Sequence, residues 1–275
     1  MSPTEMTPTY SEDVRASLEK QAAEASGSEF SRIVDARDTS SEPNPFRDFV
    51  EEQVSLVPEP RKLSLDRMIK PLQPMTISGD LVAREPRFHV PPLVEVENKH
   101  CHGDPDSCNA DATPDGVLNI FQSIVSDGAD VWGYAGAGFW YVPEDARTEV
   151  VEIRGIISWQ YSYELLVATD TAHSGGEFGV KVHSWNSEGE DYREENTHIG
   201  LWAYGCSFWD PHHKDEDASG LINVNHQFRL EPGRSYLCDG YIFGYSDANG
   251  HPGGQARTEI IARSPWLVSQ EWVAQ

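Results

Sequence analysis

Histidines and carboxylates are concentrated in one short segment, residues 209–217. It contains Asp210, His212, His213 and Asp215, followed by two further acidic residues. Imidazole together with carboxylate suits zinc, nickel or iron. Metal ligands usually converge from separate elements, whereas these residues are neighbours in the chain. The alternative is a solvated loop between two strands, and the polar composition favours that interpretation.

A second candidate metal site lies in residues 100–116. His100, Cys101, His102 and Cys108 could form a zinc clasp, but the spacing lacks the paired C-x-x-C of zinc knuckles. Four aspartates in the same segment offer oxygen ligands without the spacing of a calcium loop. Its Gly, Pro, Asp and Asn content favours a linker instead. A divalent metal is therefore a possible cofactor, and the sequence identifies no other.

Aromatic residues at alternate positions give a third candidate site, for a ligand. Trp159, Tyr161 and Tyr163 share one face of a predicted strand, and Trp202, Tyr204 and Phe208 share a face of another. Exposed rings would form a platform for a sugar, as in a carbohydrate-binding module. The alternative is that these rings form the core of a two-sheet protein, and this interpretation is favoured.

Sequence motifs for nucleophilic or phosphate chemistry are absent. The chain has no G-x-S-x-G, no glycine-rich loop ending in lysine, and no H-E-x-x-H. The glycines of 133–138 lie between strand-like runs, without the helix that a dinucleotide loop requires. No catalytic residue is assigned. A binding or structural protein is the first hypothesis, and a metal-dependent, hydrolase-like enzyme with a site near His212 and His213 is an alternative.

The charge of the chain excludes several partners. Its 45 acidic and 21 basic residues give a formal net charge of −24. This field repels phosphate backbones and anionic membranes, so we expect neither nucleic-acid binding nor membrane insertion. No run approaches the roughly 20 apolar residues that span a bilayer, and the first residues do not resemble a signal peptide. We expect a cytoplasmic protein, or one exported without a cleaved signal.

Composition divides the chain into two parts. All eight tryptophans follow residue 130, while most prolines precede residue 115. We therefore predict an extended, partly helical arm over residues 1–116 and a separate domain over 117–275. Short helices are predicted from Ser11, from Asn44 and from Ser64. Their apolar residues must pack on the second part of the chain or on another molecule. Among them, Phe46, Phe49, Leu65 and Ile69 suggest that the arm docks the domain to a protein partner or to its own copies, and the alternative is a strap over its own domain.

Residues 117–275 read as seven or eight strands separated by turns rich in Gly, Asp and Asn. Alternation is clear in 148–169, where Val151, Ile153 and Ile157 share one parity and Glu152 and Arg154 the other. Strands without intervening helices favour antiparallel sheets. The predicted fold is mainly β, an antiparallel β-sandwich of the jelly-roll or Greek-key type.

The segment LEPGRSY, residues 230–236, has the spacing L-x-P-G-x-x-Y. It resembles the tyrosine corner of Greek-key sandwiches, including fibronectin type III domains, over these seven residues. The resemblance implies that Leu230 anchors the corner in the core, that Pro232 lies in the turn, and that the Tyr236 hydroxyl donates a hydrogen bond to upstream backbone.

This motif yields a stability prediction for Tyr236→Phe. The substitution removes only the hydroxyl, so we expect a folded protein that has lost roughly 1 kcal/mol of unfolding free energy. Urea denaturation of the variant beside the wild type measures the loss. Equal unfolding free energies would mean that the segment is an ordinary turn.

Overall fold

The structure is a computed structural model that describes residues 10–35, 81–89, 100–102, 107–113, 116–125, 129–166, 171–207, 213–249 and 255–274. Within these ranges the chain forms one helix and twelve strands. They are α1 (Glu12–Asp35), β1 (Leu81–Ala83), β2 (Arg87–His89), β3 (His100–His102), β4 (Cys108–Ala112), β5 (Leu118–Val125), β6 (Ala129–Tyr141), β7 (Thr148–Leu166), β8 (Thr171–Asn186), β9 (Arg193–Ser207), β10 (His213–Arg229), β11 (Arg234–Asn249) and β12 (Gln255–Ala274).

The strands form two antiparallel sheets that pack face to face, so the predicted β-sandwich is confirmed. The five-stranded sheet has the order β3-β6-β11-β8-β9. The seven-stranded sheet has the order β10-β7-β12-β5-β4, with β1 and β2 also paired to β12. No helix in the described ranges is long and apolar enough to cross a membrane.

Strands on the amino-terminal side of residue 116 contribute to both sheets. β1 and β2 pair with the second half of β12, β4 pairs with β5, and β3 pairs with β6. Each has only three to five residues, too short to show clear alternation in a sequence. The sheets therefore extend beyond the predicted domain boundary, because β12 is longer than β5 and leaves backbone groups for β1 and β2 to pair.

The space between the sheets holds an apolar core that contains a network of hydrogen-bonded polar side chains. Thr258 bonds to both Ser246 and Ser174 through its hydroxyl, at 2.8 and 2.6 Å. Ser246 donates to Gln122, and the Trp202 indole donates to Ser174. This network crosses from one sheet to the other. Its hydroxyls bond to one another, which avoids the cost of burying polar groups without hydrogen bonds.

Helix α1 packs on the side of the five-stranded sheet that faces away from the core. Leu18, Ala22 and Ala23 are buried against Trp185 and Leu237. These helix residues lie on one face because positions three to four apart adjoin in a helix. The apolar stripe of α1 therefore packs on the second part of the chain, which is one of the two alternatives expected for the arm. The helices predicted from Asn44 and Ser64, with Phe46, Phe49, Leu65 and Ile69, lie outside the described residues.

Polar contacts fix the seat of α1. The indole nitrogens of Trp140 and Trp185 donate to Glu19 and Gln21, at 2.7 and 2.9 Å. The Tyr10 hydroxyl, just before the helix, donates to the backbone carbonyl of Asn186. Both tryptophans thus satisfy their N–H groups while burying their rings, which orients the helix on the sheet.

The tyrosine corner is present with its polarity reversed. The backbone N–H of Glu231 donates to the Tyr236 hydroxyl at 2.7 Å, so the hydroxyl accepts the bond that it was expected to donate. Tyr236 is buried and Leu230 packs against the core. The corner still ties the turn to the sheet, because the bond joins residues five positions apart.

The helix seat predicts different effects for the same substitution at two positions of α1. Leu18 is 5% exposed and Val14 is 39% exposed. Leu18→Asp should release the helix, because it places a charge in an apolar contact and loses roughly 2 kcal/mol of burial. Water would then reach Trp140 and Trp185, so tryptophan fluorescence should shift to longer wavelength. Val14→Asp should leave the spectrum unchanged, and equal spectra for both variants would contradict this seat.

Candidate binding site on the five-stranded sheet

The five-stranded sheet has one face on the core and one face turned away from it, which we call the outer face. Side chains alternate along a strand, so Ile242 points into the core while Asp239 and Tyr241 lie on the outer face. The register of β8 with β11 places Lys181 opposite Asp239. Antiparallel pairing thus gathers ionisable residues that are far apart in the chain.

The residues of interest on this face form what we call the outer cluster. Its members come from β6, β8, β9, β11 and the turn before β9: Tyr134, Glu177, Lys181, His183, Tyr192, Glu194, Asp239 and Tyr241. All are buried except Tyr192 and Glu194, which are half-buried. Charged groups at such depth need specific partners.

Lys181 shows how the cluster holds a buried ammonium group. Its Nζ lies 2.7 Å from a carboxylate oxygen of Glu194 and about 5 Å from the ring centres of Tyr134 and Tyr241. Burial by itself raises the pKa of Glu194, but the charges of Lys181 and then His183 outweigh it, so the pKa lies below its ordinary value. Carboxylate and aromatic faces together replace water around the ammonium.

The two stacked tyrosines owe their position to glycines on the neighbouring strands. The rings of Tyr134 and Tyr241 are 5.0 Å apart. A Cβ at position 179 would lie 2.4 Å from the Tyr241 ring, and one at position 136 would lie 3.4 Å from Tyr134. Gly179 therefore lets the Tyr241 ring lie flat across β8, where its hydroxyl donates to Glu177 at 3.1 Å.

His183 has its proton positions set by a hydrogen-bond chain. The Tyr192 hydroxyl donates to Glu194 at 2.7 Å, and it has only one hydrogen to give. His183 Nδ1, which is 2.8 Å from that hydroxyl, must therefore be the donor in their bond. The other nitrogen, Nε2, faces Asp239 and carries a proton only when the ring is charged.

Asp239 and His183 lie side by side in the outer cluster, and both have buried atoms without hydrogen-bond partners. Asp239 is 0% exposed, and neither of its carboxylate oxygens has a hydrogen-bond partner. His183 is also 0% exposed, and its Nε2 lacks a partner too. The two groups face each other at 3.5 Å, longer than an ordinary N–H···O bond. The two carboxylate oxygens of Asp239 are thus buried acceptors without a hydrogen-bond donor.

The predicted metal sites do not assemble in the described part of the chain. Cys101 and Cys108 are joined in a disulfide, so neither is a thiolate able to bind zinc, and the predicted clasp is wrong in this respect. The side chains of His100 and His102 lie outside the described residues. No three His, Cys, Asp or Glu side chains come together for a metal within the described ranges.

The second predicted metal segment lies partly in a strand. Asp210 and His212 are outside the described residues. His213 and Asp215 belong to β10, where they pair with β7 and are exposed. Residues 213–217 therefore belong to a strand, although the polar composition of the segment had favoured a loop. Charged side chains here suit an edge strand, since they discourage pairing with other chains.

The predicted sugar platform is part of the core. Trp159, Tyr161 and Tyr163 are at most 9% exposed. Their rings stack on each other, and Tyr161 also stacks on the buried ring of Trp202 at 4.2 Å. The side chains of Tyr204 and Phe208 are not described. Since an exposed ring is required for a platform, the core alternative is correct for these three residues.

Sequence reasoning missed the outer cluster, although it had a signal. Glu177 and Lys181 interrupt the strand-like run of β8, and Asp239 interrupts that of β11. An ionisable residue inside a run of apolar and aromatic residues is rarely buried without purpose. Glu177 and Lys181 lie on the same face of β8 because an even number of positions separates them. Only the register of β8 with β11 shows that Asp239 lies on that face too.

Comparisons with known proteins identify no relative for this chain. No family model and no curated protein matches it. A solved carbohydrate-binding module, TmCBM61 with β-1,4-galactotriose, matches at 10% identity and a TM-score of 0.19, covering 62% of this chain and 86% of that one. A structure of the promiscuous carbohydrate-binding modules of the β-sandwich superfamily matches at 9% identity and 0.22, covering 69% and 58%. Eiger TNF from S. frugiperda matches at 11% and 0.19, covering 72% and 95%.

These values are too low to support any inference from the neighbours, so the site itself must carry the functional argument. The strand pairing of this chain establishes its sandwich without them.

The lack of partners at Asp239 predicts that Asp239→Asn stabilises the unliganded protein. The amide removes a buried charge that has no hydrogen bond, so we expect a gain of roughly 1 kcal/mol. Glu149→Gln is the matched control, since it makes the same acid-to-amide change at an exposed position of β7 and should change stability by less than about 0.5 kcal/mol. Urea denaturation at neutral pH compares the variants. A destabilised Asp239→Asn protein would show that the carboxylate supports the fold.

Proposed function

We propose that this protein is a non-catalytic binding protein that takes a small polar ligand on the outer face of its five-stranded sheet. One observation carries the proposal: the Asp239 carboxylate and His183 Nε2 are fully buried, face each other, and lack hydrogen-bond partners. Lys181 and Glu194, in contrast, satisfy each other a few residues away.

Unsatisfied buried groups call for an explanation because they are costly. About nine in ten buried polar groups in proteins are hydrogen-bonded, and each exception costs about 1–3 kcal/mol, more when it is charged. A ligand that donates hydrogen bonds to Asp239 would remove this cost on binding. A ligand that cannot donate these bonds would leave the groups unsatisfied and would bind more weakly, so the same groups would give the site its specificity.

Binding without catalysis fits the way in which the other acidic groups are used. Glu194 accepts from Tyr192 and pairs with Lys181, and Glu177 accepts from Tyr241. These contacts hold both carboxylates within the cluster. The Asp239 carboxylate, which has no hydrogen bond, can orient a ligand, which is the role of the few polar groups in an otherwise aromatic pocket.

Access to the site requires movement, because Asp239, Lys181 and His183 are each 0% exposed. Helix α1 adjoins the site through Trp185, whose ring contacts Leu18 on one side and lies 6.2 Å from the His183 ring on the other. We propose that release of α1 is part of opening, so the helix acts as a strap over its own sheet. Ligand association should then be faster in Leu18→Asp.

Thermal unfolding in the presence of candidate ligands tests the site. The panel contains neutral sugars, diols and small amines, each added to the wild type, Asp239→Asn and Glu149→Gln. A ligand at one hundred times its Kd should stabilise the wild type and Glu149→Gln by about 2.7 kcal/mol and should have little effect on Asp239→Asn. Mass spectrometry should recover the ligand unchanged.

Two outcomes contradict the proposal. Stabilisation that persists in Asp239→Asn would move binding away from this site, and conversion of a ligand would show catalysis. Repeating the panel on Leu18→Asp, in which α1 should be released, distinguishes a site that is closed in the wild type from a site that cannot bind these ligands. If no compound stabilises either protein, the outer cluster is structural and the proposed function is wrong.

A further inference from the structure

We propose that the ligand of the outer cluster carries an organic ammonium or guanidinium group. This inference rests on the proposed function and names the chemical class that the same site would bind. It starts from the two unsatisfied carboxylate oxygens of Asp239. Both are acceptors, so the group that meets them must donate hydrogen bonds or be a cation.

Charge separates the possible donors. The outer cluster holds three carboxylates against one lysine and one histidine, so its acidic groups outnumber its basic groups even when His183 is protonated. A neutral hydroxyl would donate to Asp239 but would add no positive charge to this site, where Asp239 is 0% exposed. An ammonium or guanidinium group supplies both the hydrogen bonds and the compensating charge, and such charge-assisted bonds are about twice as strong as neutral ones. A buried carboxylate without a hydrogen-bonded cation therefore selects a cationic ligand over its hydroxyl analogue.

Lys181 shows that this environment accommodates an ammonium group. It is 0% exposed, yet its Nζ is satisfied by Glu194 and by the faces of Tyr134 and Tyr241. Lys181 lies opposite Asp239 in the register, but its salt bridge is to Glu194. A second ammonium at Asp239 would give each of the two carboxylates its own cation, with the tyrosine rings nearby to replace water.

A divalent metal ion is the other kind of cation that could meet Asp239, and it fits the site less well. Such ions usually need four or more ligands, and Asp239 and His183 supply two side chains. Within the described ranges no third His, Cys, Asp or Glu completes a metal group. Magnesium and zinc are nevertheless included as arms of the test, because Asp239 and His183 Nε2 are ligand types that metals use.

The net charge of −24 would attract any cation, so the test must separate the site from the surface. Isothermal titration at physiological salt compares putrescine with 1,4-butanediol, which has the same carbon chain with hydroxyls in place of the amines. Each is titrated into the full-length wild type, Asp239→Asn and Glu149→Gln. The two variants lose one acidic charge each, so the long-range field is the same for both.

We expect putrescine to bind the wild type and Glu149→Gln with Kd values within twofold of each other. In Asp239→Asn its Kd should rise at least tenfold, and 1,4-butanediol should bind the wild type at least tenfold more weakly than putrescine. Agmatine, which carries one guanidinium group, should follow putrescine. Leu18→Asp is titrated in parallel, so a slow-opening site is still detected.

Each other outcome overturns a different step. If the diol binds as tightly as putrescine and depends on Asp239, the ligand class is wrong while the binding site stands. If putrescine binds all three proteins equally, it is attracted by the acidic surface and not by this site. Tight magnesium or zinc binding without putrescine binding would replace the amine by a metal. If no probe binds either the wild type or Leu18→Asp, the inference and the proposed function both fail.

Discussion

The antiparallel pairing of β8 with β11 determines most of what is distinctive about this protein. It runs for sixteen residue pairs, from Arg234 with Asn186 to Asn249 with Thr171. A slip of one residue would exchange the faces of the strand that moves, so Asp239 of β11 or Lys181 of β8 would enter the core between the sheets. The buried Val180 and Ile242, which point into that core, hold the register by the apolar surface that a slip would expose. The outer cluster thus exists because the core fixes its strands.

The outer face of the five-stranded sheet contains two buried charges with different surroundings. At Lys181 the cation, the Glu194 carboxylate and two aromatic faces satisfy one another, and the result is a closed ion pair. At Asp239 the carboxylate has only an imidazole nitrogen 3.5 Å away. Proteins commonly give up stability at binding sites because the groups that a ligand needs are poorly satisfied without it. This contrast between neighbouring groups is why Asp239, and not the charged cluster as a whole, carries the functional proposal.

Helix α1 connects the stability of the fold to access. Its thin apolar stripe would not support a helix alone, and it is buried because Trp185 and Leu237 offer it an apolar seat. Trp185 also neighbours His183. A marginal helix held by few residues can be released at modest cost, which suits a cover over a closed site better than a permanent third layer would.

The sequence by itself determined the β class, the sandwich and the turn at 230–236, because alternation and turn chemistry are local properties of the chain. It also indicated the start of α1, through Ser11 and the acidic residues that follow. It could not decide which aromatic rows are core: Trp159 and Tyr161 have the same alternation that an exposed platform would have. Nor could it join Cys101 to Cys108 or bring Lys181, Glu194 and Asp239 together. Those pairings depend on register and on how the sheets face each other, and the tertiary structure decided them because contacts between distant segments leave no periodic signal in the sequence.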